Sequence, residues 1–191
     1  MGRLKQFDPD AAVATAMGLF WRRGYGATTP AELVDALGIG KGSLYNTFNN
    51  KHALFEQALR RYGDERVTRL TEVLNRPGPV RARLRSALER LAAPEHAHLV
   101  KRGCLAVNTV AELGERDKAA LAIVRSVFDR MEHALQATIE EGQRNGEIDR
   151  GRDAKDIAGL LLSTIIGMTV IAKAGRGDRL RRIARTAMSF V

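Results

Sequence analysis

Cysteine and aromatic residues are scarce in this sequence. Its 191 residues include one cysteine, Cys104, which excludes an internal disulfide framework and a cysteine-rich zinc site. Aromatic side chains make up 5% of the chain, and no stretch alternates apolar and polar residues as a strand does. Alanine, leucine and arginine are plentiful instead, and these residues favour helices over sheets. The composition therefore predicts an all-α protein.

Long hydrophobic runs are also missing. The N-terminus lacks the apolar stretch of a signal peptide. The longest apolar stretch, residues 157–172, is interrupted by Ser163, Thr164 and Thr169. As a helix of about 24 Å it is shorter than a hydrocarbon core of about 30 Å, so a packing helix explains it better than a membrane span. We expect a cytoplasmic protein with no membrane partner.

Acidic residues are outnumbered by basic ones, which gives a formal net charge of +9 and a pI near 10.3. Such a balance is typical of proteins with a polyanionic partner. The excess is spread over the chain, because residues 1–62 hold 8 basic and 5 acidic residues and residues 63–191 hold 23 and 17. Charge alone does not locate a binding surface, and a DNA-binding function must be argued from motifs.

Residues that typically begin and end helices recur along the chain. Asp8 is predicted to cap a helix that ends at Gly24, and Thr29 with Glu32 forms a capping box for a second, short helix. Asn50 is predicted to cap a long fourth helix. The third and all later helices are predicted near residues 40–48, 51–74, 79–92, 99–114, 117–145, 153–174 and 177–190.

The second and third predicted helices have the arrangement of a helix-turn-helix. Each is too short to be stable alone, so the pair is expected to pack at a steep angle and expose its second helix to a DNA major groove. Thr28, Thr29 and Lys51 lie near helix N-termini, which favour phosphate groups. The polar side chains between them have the chemistry to read base edges: Lys41, Ser43, Tyr45, Asn46 and Thr47.

The segments LFWRRGYGATT (residues 19–29) and GIGKGSLYNTFNNK (residues 38–51) resemble the DNA-binding domain of TetR-family regulators. The resemblance covers about residues 8–60, and the glycines, helix caps, Tyr45 and Lys51 all fall at the family's spacing. It implies that Thr29, Tyr45 and Lys51 contact the DNA backbone, whereas Lys41, Ser43, Asn46 and Thr47 contact the groove. Ala31 departs from relatives with a long polar side chain there, so it is not expected to contact a base.

The same resemblance implies the organisation and function of the whole chain. An N-terminal three-helix DNA-binding domain would occupy residues 1–50, and a larger helical domain for ligand binding and dimerisation would occupy residues 51–191. We expect a sequence-specific transcriptional repressor that a small-molecule effector releases from a palindromic operator, with no enzymatic activity and no cofactor. The homodimer is predicted to form through residues 153–190, with Leu161 and Ile165 in the interface.

Three polar residues recur every four positions in the predicted helix over residues 99–114. Cys104, Asn108 and Glu112 would share one face of that helix, amid leucine and valine side chains. Such residues form hydrogen bonds between helices or line a ligand pocket, and the family resemblance implies a pocket on this helix. They are the predicted ligand-binding residues.

Cys104 also suggests a thiol that senses electrophiles or oxidants on the same scaffold. It is predicted near a helix N-terminus and follows Lys101 and Arg102, and both features increase thiol reactivity. Some TetR-family members that respond to electrophiles carry a cysteine in a similar Gly-Cys-Leu string and a lysine near the position of Lys173. The alternative is an ordinary packing cysteine.

Other chemistries are not supported by the motifs present. The glycines at residues 38–42 lack the GK[ST] ending and the preceding strand of a phosphate-binding loop. Glu95 and His98 form one Glu-x-x-His, but a di-iron site needs a second such pair and two more glutamates, so no metal is expected. A helical ligand-binding protein that is not a regulator remains an alternative.

Overall fold

The computed structural model describes residues 7–90, 102–174 and 177–191, and the regular structure in these ranges is helical. The prediction of an all-α protein is confirmed. A short 3₁₀ turn, Gly114–Arg116, follows the sixth of the described helices. These helices are α1 (Pro9–Arg23), α2 (Pro30–Leu37), α3 (Lys41–Phe48), α4 (Lys51–Leu74), α5 (Val80–Glu89), α6 (Leu105–Glu112), α7 (Lys118–Arg144), α8 (Ala154–Lys173) and α9 (Gly177–Met188).

The predicted caps form the hydrogen bonds expected of them. The Asp8 carboxylate accepts from the N–H of Asp10, and the Asn50 side chain accepts from the N–H of Ala53. Thr29 and Glu32 form a complete capping box at the start of α2. These side chains satisfy backbone donors that a helix leaves open, which explains why α1, α2 and α4 begin where the sequence predicts.

Two hydrophobic clusters share helix α4. The first joins α1, α2, α3 and the N-terminal half of α4 to parts of α6 and α7, and its largest buried side chains include Phe20, Phe48 and Phe55. The second joins the C-terminal half of α4 to α5, α7, α8 and α9. The predicted boundary at residue 50 therefore falls at the start of a helix that belongs to both clusters.

Helices α4 and α7 cross at very short range. Gly63 lies at the crossing, where a Cβ atom would stand 2.2 Å from Cγ2 of Val127, so a larger residue would force the helices apart. Near the end of α4, the buried Arg83 guanidinium donates to the Leu74 carbonyl and pairs with Glu141 of α7. These contacts fix α4 against the helix that supports the second cluster.

The helix predicted over residues 99–114 is shorter in the structure. Gly103 has a left-handed conformation (φ +71°) and Cys104 is extended, so α6 begins only at Leu105. Cys104 is the N-cap residue and not part of the helical face that carries Asn108 and Glu112. The prediction of one shared face was therefore wrong. Residues 91–101, which include Lys101 and the Glu95 and His98 pair, lie outside the described residues.

Helix α8 contains the longest apolar stretch. By length and composition it could cross a membrane, with a mean hydropathy of 1.6 over its 18-residue window. Its inward side chains, including Leu161 and Ile165, belong to the second hydrophobic cluster together with residues of α7 and α9. This packing explains the apolar composition of one side of α8.

Candidate nucleic-acid interface and ligand cavity

Helices α2 and α3 form the predicted helix-turn-helix. Leu33, Leu44 and Phe48 are almost completely buried in the first cluster. Gly38 ends α2 in the left-handed conformation (φ +63°), which glycine adopts without strain, and the chain turns into α3 within three residues. The apolar faces of two short helices thus hold α3 on the surface.

The outer face of α3 carries the polar side chains that were predicted to read a groove. Lys41, Asn46 and Thr47 are exposed, whereas Ser43 and Tyr45 are partly buried at its edges. Within the described chain these five residues have no side-chain hydrogen bond or ion pair to another protein group. Their donors and acceptors are therefore free to bind base edges or phosphates.

The two threonines at the start of α2 have different environments. Thr28 is fully buried and its hydroxyl donates to the carbonyl of Gly24 at 2.7 Å. The side chain therefore stabilises the turn between α1 and α2 and cannot reach a phosphate. The prediction that Thr28 contacts DNA does not fit this position. Thr29 is exposed as the α2 N-cap, where the free backbone N–H groups can face a phosphate.

Lys51 at the start of α4 points towards the turn between α1 and α2. Its ammonium donates to the carbonyls of Tyr25 at 2.9 Å and Thr28 at 2.8 Å, and it stands 4.1 Å from the centre of the Tyr25 ring. Burial lowers the pKa of Lys51, and the Glu112 carboxylate opposes that shift. Lys51 therefore stabilises the turn, in addition to the backbone contact with DNA that the sequence predicts.

Glu112 connects the same turn to the larger domain. From the end of α6, its carboxylate accepts from the backbone N–H of Tyr25 at 3.0 Å and of Gly26 at 2.6 Å. Gly24 and Gly26 allow this approach, because a Cβ atom on them would lie 2.7 Å and 3.0 Å from the carboxylate oxygens. We call the contact between Glu112 and residues 24–26 the interdomain clasp.

A second contact lies beside the clasp. Nε2 of His52 stands 2.7 Å from Oδ2 of Asp117, the N-cap residue of α7. Burial opposes the ionisation of Asp117, but hydrogen bonds from the Ala120 N–H and from His52 outweigh it and hold its pKa below the usual value. Sequence analysis missed this pair and the clasp, because neither has a local signal.

The main cavity in the described part of the chain has a volume of about 940 Å³ and lies between α1, α4, α5, α7 and α8. The predicted ligand-binding residues are not among the residues that line it. Cys104 borders a small adjoining space, whereas Asn108 and Glu112 line an open groove between α1 and α6. The three residues therefore do not converge on one site, and α4 supplies most of the cavity wall instead.

The surroundings of Cys104 are partly polar. The free thiol is half-buried beside Tyr62 and follows Gly103, whose carbonyl accepts from Trp21 Nε1 at 3.1 Å. The Lys173 side chain packs on Gly103, and its ammonium stands 3.4 Å from the Asn108 side-chain oxygen. Lys173, the lysine singled out by the resemblance in sequence, thus packs on the residue next to Cys104.

The outer face of α8 carries the candidate dimer contacts. Leu160 and Val170 are 43% and 52% exposed, and Gly167 between them has no neighbouring atom where a Cβ would stand. Leu161 and Ile165 are instead only 1% and 4% exposed inside the subunit. Their predicted place in the interface was wrong, because α8 is apolar on both sides and the pattern does not tell its two faces apart.

Two family models match the chain. The model described as "Bacterial regulatory proteins, tetR family" matches residues 12–58, and "Tetracyclin repressor-like, C-terminal domain" matches residues 80–188. The chain is 32% identical to the HTH-type transcriptional repressor ComR of Escherichia coli (strain K12), covering 98% of this chain and 90% of ComR. It is 27% identical to the repressor BdcR of the same organism, covering 97% and 88%.

A solved structure has the same fold over nearly its whole length. It is a cysteine mutant of the TetR family transcriptional regulator CifR complexed with 26-base-pair double-strand operator DNA. The two chains are 26% identical and superpose with a TM-score of 0.86, covering 98% of each. The described helices of both domains therefore have counterparts in a regulator seen on its operator.

Proposed function

Because this chain belongs to the TetR family of bacterial transcriptional regulators, we propose that it represses transcription from a palindromic operator and leaves it when a small molecule binds. It acts in the cytoplasm as a homodimer with duplex DNA as its partner. The observation that carries the proposal is the outer face of α3, where polar side chains without a partner among the described residues project from a helix-turn-helix whose inner face is buried. The family assignment disfavours a ligand-binding protein without a regulatory role.

DNA recognition divides the α3 residues into two roles. Asn46 and Thr47, which are exposed, read base edges in the major groove, and Lys41 and Ser43 lie on the same face. Tyr45 and the N-terminus of α2 at Thr29 bind the phosphate backbone, which fixes the register of the reading helix. In a homodimer two such helices enter the groove one helical turn, roughly 34–36 Å, or a whole multiple of it apart.

Release follows from a population shift. Helix α4 begins with Lys51 beside the helix-turn-helix and lines the 940 Å³ cavity from Gln57 to Val73, and Trp21 near the end of α1 lines the same cavity. An effector that binds better when the two α3 helices have the wrong separation lowers operator affinity without touching DNA. The interdomain clasp transmits the change, because it ties the larger domain to the turn before α2.

Subunits associate through the outer faces of α8 and α9. Leu160 and Val170 of α8, and Phe190 just after α9, are large apolar side chains that are exposed in the subunit. Burying them against a second copy removes apolar surface from water, which stabilises the dimer.

Operator selection from random duplex DNA, followed by mobility-shift titration, tests the function. Asn46→Ala or Thr47→Ala should relax the preference at defined base pairs by about 1–3 kcal/mol, whereas Ser86→Ala, an exposed change on α5, should not. Lys51→Ala should weaken all sequences equally and reduce the slope of log affinity against log salt by about one. Failure to enrich any palindrome with the intact protein would contradict the proposal.

A covalent effector is a second candidate, favoured by the half-buried Cys104 thiol at the N-cap of α6, with Lys173 packed on the neighbouring Gly103. The thiol would first lose its proton to solvent, and the thiolate sulfur would then add to an activated C=C bond, whose second carbon takes up a proton from water. Maleimide titration read by mass and by operator binding tests this candidate. It fails if native Cys104 stays unmodified, or if Cys104→Ser protein still releases DNA on treatment.

A further inference from the structure

The main cavity has an apolar floor and a charged wall, in which Arg60, Arg61, Arg66 and Arg69 of α4 stand among the acidic residues Asp64, Glu65 and Glu72. Its volume of about 940 Å³ lies near the upper end of the range for small-molecule sites. The floor comes from the second hydrophobic cluster, and the wall comes from one side of α4. The apolar residues that line the floor include Val73, Met131, Ile165 and Ala172.

One arginine of the wall differs from its neighbours. Arg60 pairs with Glu56, and both Arg61 and Arg69 pair with Glu65. Arg66 is half-buried and lines the cavity, yet it makes no ion pair and no hydrogen bond with the described residues. A partly desolvated guanidinium next to an apolar floor is unfavourable unless an anion binds to it.

A buried hydroxyl lies next to Arg66. Tyr62 is 2% exposed, and its hydroxyl has no hydrogen-bond partner of normal geometry among the described residues. It borders a small space that shares Arg66, Met131, Ile165 and Thr169 with the main cavity. Burial raises the pKa of Tyr62 far above its usual value, so the hydroxyl stays protonated and can donate.

We propose that the cavity binds an organic carboxylate with an apolar body, the carboxylate accepting from Arg66 and Tyr62 and the body lying on the floor. A guanidinium and a phenol give three or more donors for two carboxylate oxygens, which have no donor role when ionised. The apolar floor selects against small inorganic anions, because they leave it uncovered. That this ligand is the effector rests on the proposed function.

A tryptophan beside the proposed site provides a fluorescence signal for ligand binding. Trp21 is the sole tryptophan of the chain, it lines the cavity, and its ring packs edge-on against Tyr62 with centroids 5.0 Å apart. A ligand on Arg66 and Tyr62 therefore changes the surroundings of the indole. Because Trp21 belongs to α1, the same contact couples the cavity to the DNA-binding domain.

The test uses the full-length protein and two ligand series matched in shape. The first contains decanoate, decanamide and decylamine, and the second contains naphthoate and naphthamide. Binding is measured by Trp21 fluorescence and by calorimetry without DNA, and operator release is measured separately by mobility shift. At least one carboxylate should bind about 10- to 100-fold more tightly than its amide, because it alone accepts a charge-assisted pair from Arg66.

Variants separate the role of charge from that of packing. Arg66→Gln should remove the preference for the carboxylate, whereas Arg66→Lys should keep part of it. Arg69→Gln removes an arginine that already pairs with Glu65, so it should change affinity less than about fivefold. Tyr62→Phe should weaken binding of the carboxylate several-fold and leave the subunit folded, because the lost hydroxyl has no hydrogen-bond partner of normal geometry among the described residues.

The outcomes distinguish the ligand site from the proposed function. Equal binding of amide and carboxylate, an unchanged preference in Arg66→Gln, or no saturable binding of any carboxylate overturns the site. A carboxylate that binds with the stated preference but leaves the operator complex intact upholds the site and overturns its assignment as the effector site. Absence of any operator complex counts against the proposed function alone, since ligand binding is measured without DNA.

Discussion

Replacing the Glu112 carboxylate should loosen the DNA-binding domain from the rest of the subunit. Glu112→Gln preserves the size of the side chain, but the amide has one oxygen and would set its NH₂ against a backbone N–H. In the native clasp both oxygens accept, from Tyr25 at 3.0 Å and from Gly26 at 2.6 Å. The two donors, Tyr25 and Gly26, lie 87 and 86 residues before Glu112 in the sequence, so no local structure replaces the contact.

The magnitude follows from the two hydrogen bonds. A hydrogen bond to a charged group contributes about 1.5–3 kcal/mol. Because the site is half-buried, water can hydrogen-bond to the backbone N–H group that the glutamine leaves without an acceptor. We therefore expect the free energy of unfolding to fall by about 1–3 kcal/mol. Operator affinity should fall as well, because DNA then binds only the fraction of molecules in which residues 24–26 keep their native conformation.

Urea denaturation of the full-length protein and titration with a selected operator measure the two effects. Glu115→Gln is the matched control, since this carboxylate lies three residues away, is 83% exposed and stands 4.0 Å from Arg125. Its loss should change stability by less than about 0.5 kcal/mol. If the two variants were indistinguishable in stability and in operator affinity, the clasp would have no role in holding the DNA-binding domain.

Further predictions concern the neighbouring ion pair and the dimer. Asp117→Asn keeps the α7 cap but loses the charge facing His52, so it should lower stability by about 1 kcal/mol at neutral pH. Because the pKa of Asp117 is depressed in the folded state, the native protein should lose this advantage as the pH falls below about 4, where the denaturation curves of the two proteins should converge. Leu160→Glu should give folded monomers with weak operator binding, whereas Ala119→Glu, an exposed change at the start of α7, should stay dimeric. Sedimentation decides the last point, and an intact Leu160→Glu dimer would remove the outer face of α8 from the interface.

Local signals explain most of what could be predicted from the sequence. Asp8, Thr29 and Asn50 act on backbone groups within three residues, so their capping role does not depend on the rest of the fold. Helix α3 was predicted for the same reason, because the glycines before it and the apolar pair Leu44 and Phe48 determine both its start and its buried face.

Contacts between distant segments explain what was missed. Glu112 was predicted to bind a ligand, but its partners lie in a turn more than eighty residues earlier in the chain. Thr28 was assigned to DNA because it precedes a helix, yet the hydroxyl turns inward to Gly24. Arg66 carried no signal, because only the pairing of the other α4 arginines distinguishes it.

Footprinting of the selected operator tests the central claim most directly. Hydroxyl-radical cleavage should show two protected regions whose centres lie one helical turn, about 10–10.5 base pairs, or a whole multiple of it apart. Asn46→Ala should keep this spacing on any sequence that it still binds and lose the preference at one position in each half-site. A single protected region, or protection that does not depend on sequence, would contradict a dimer that reads DNA with two α3 helices.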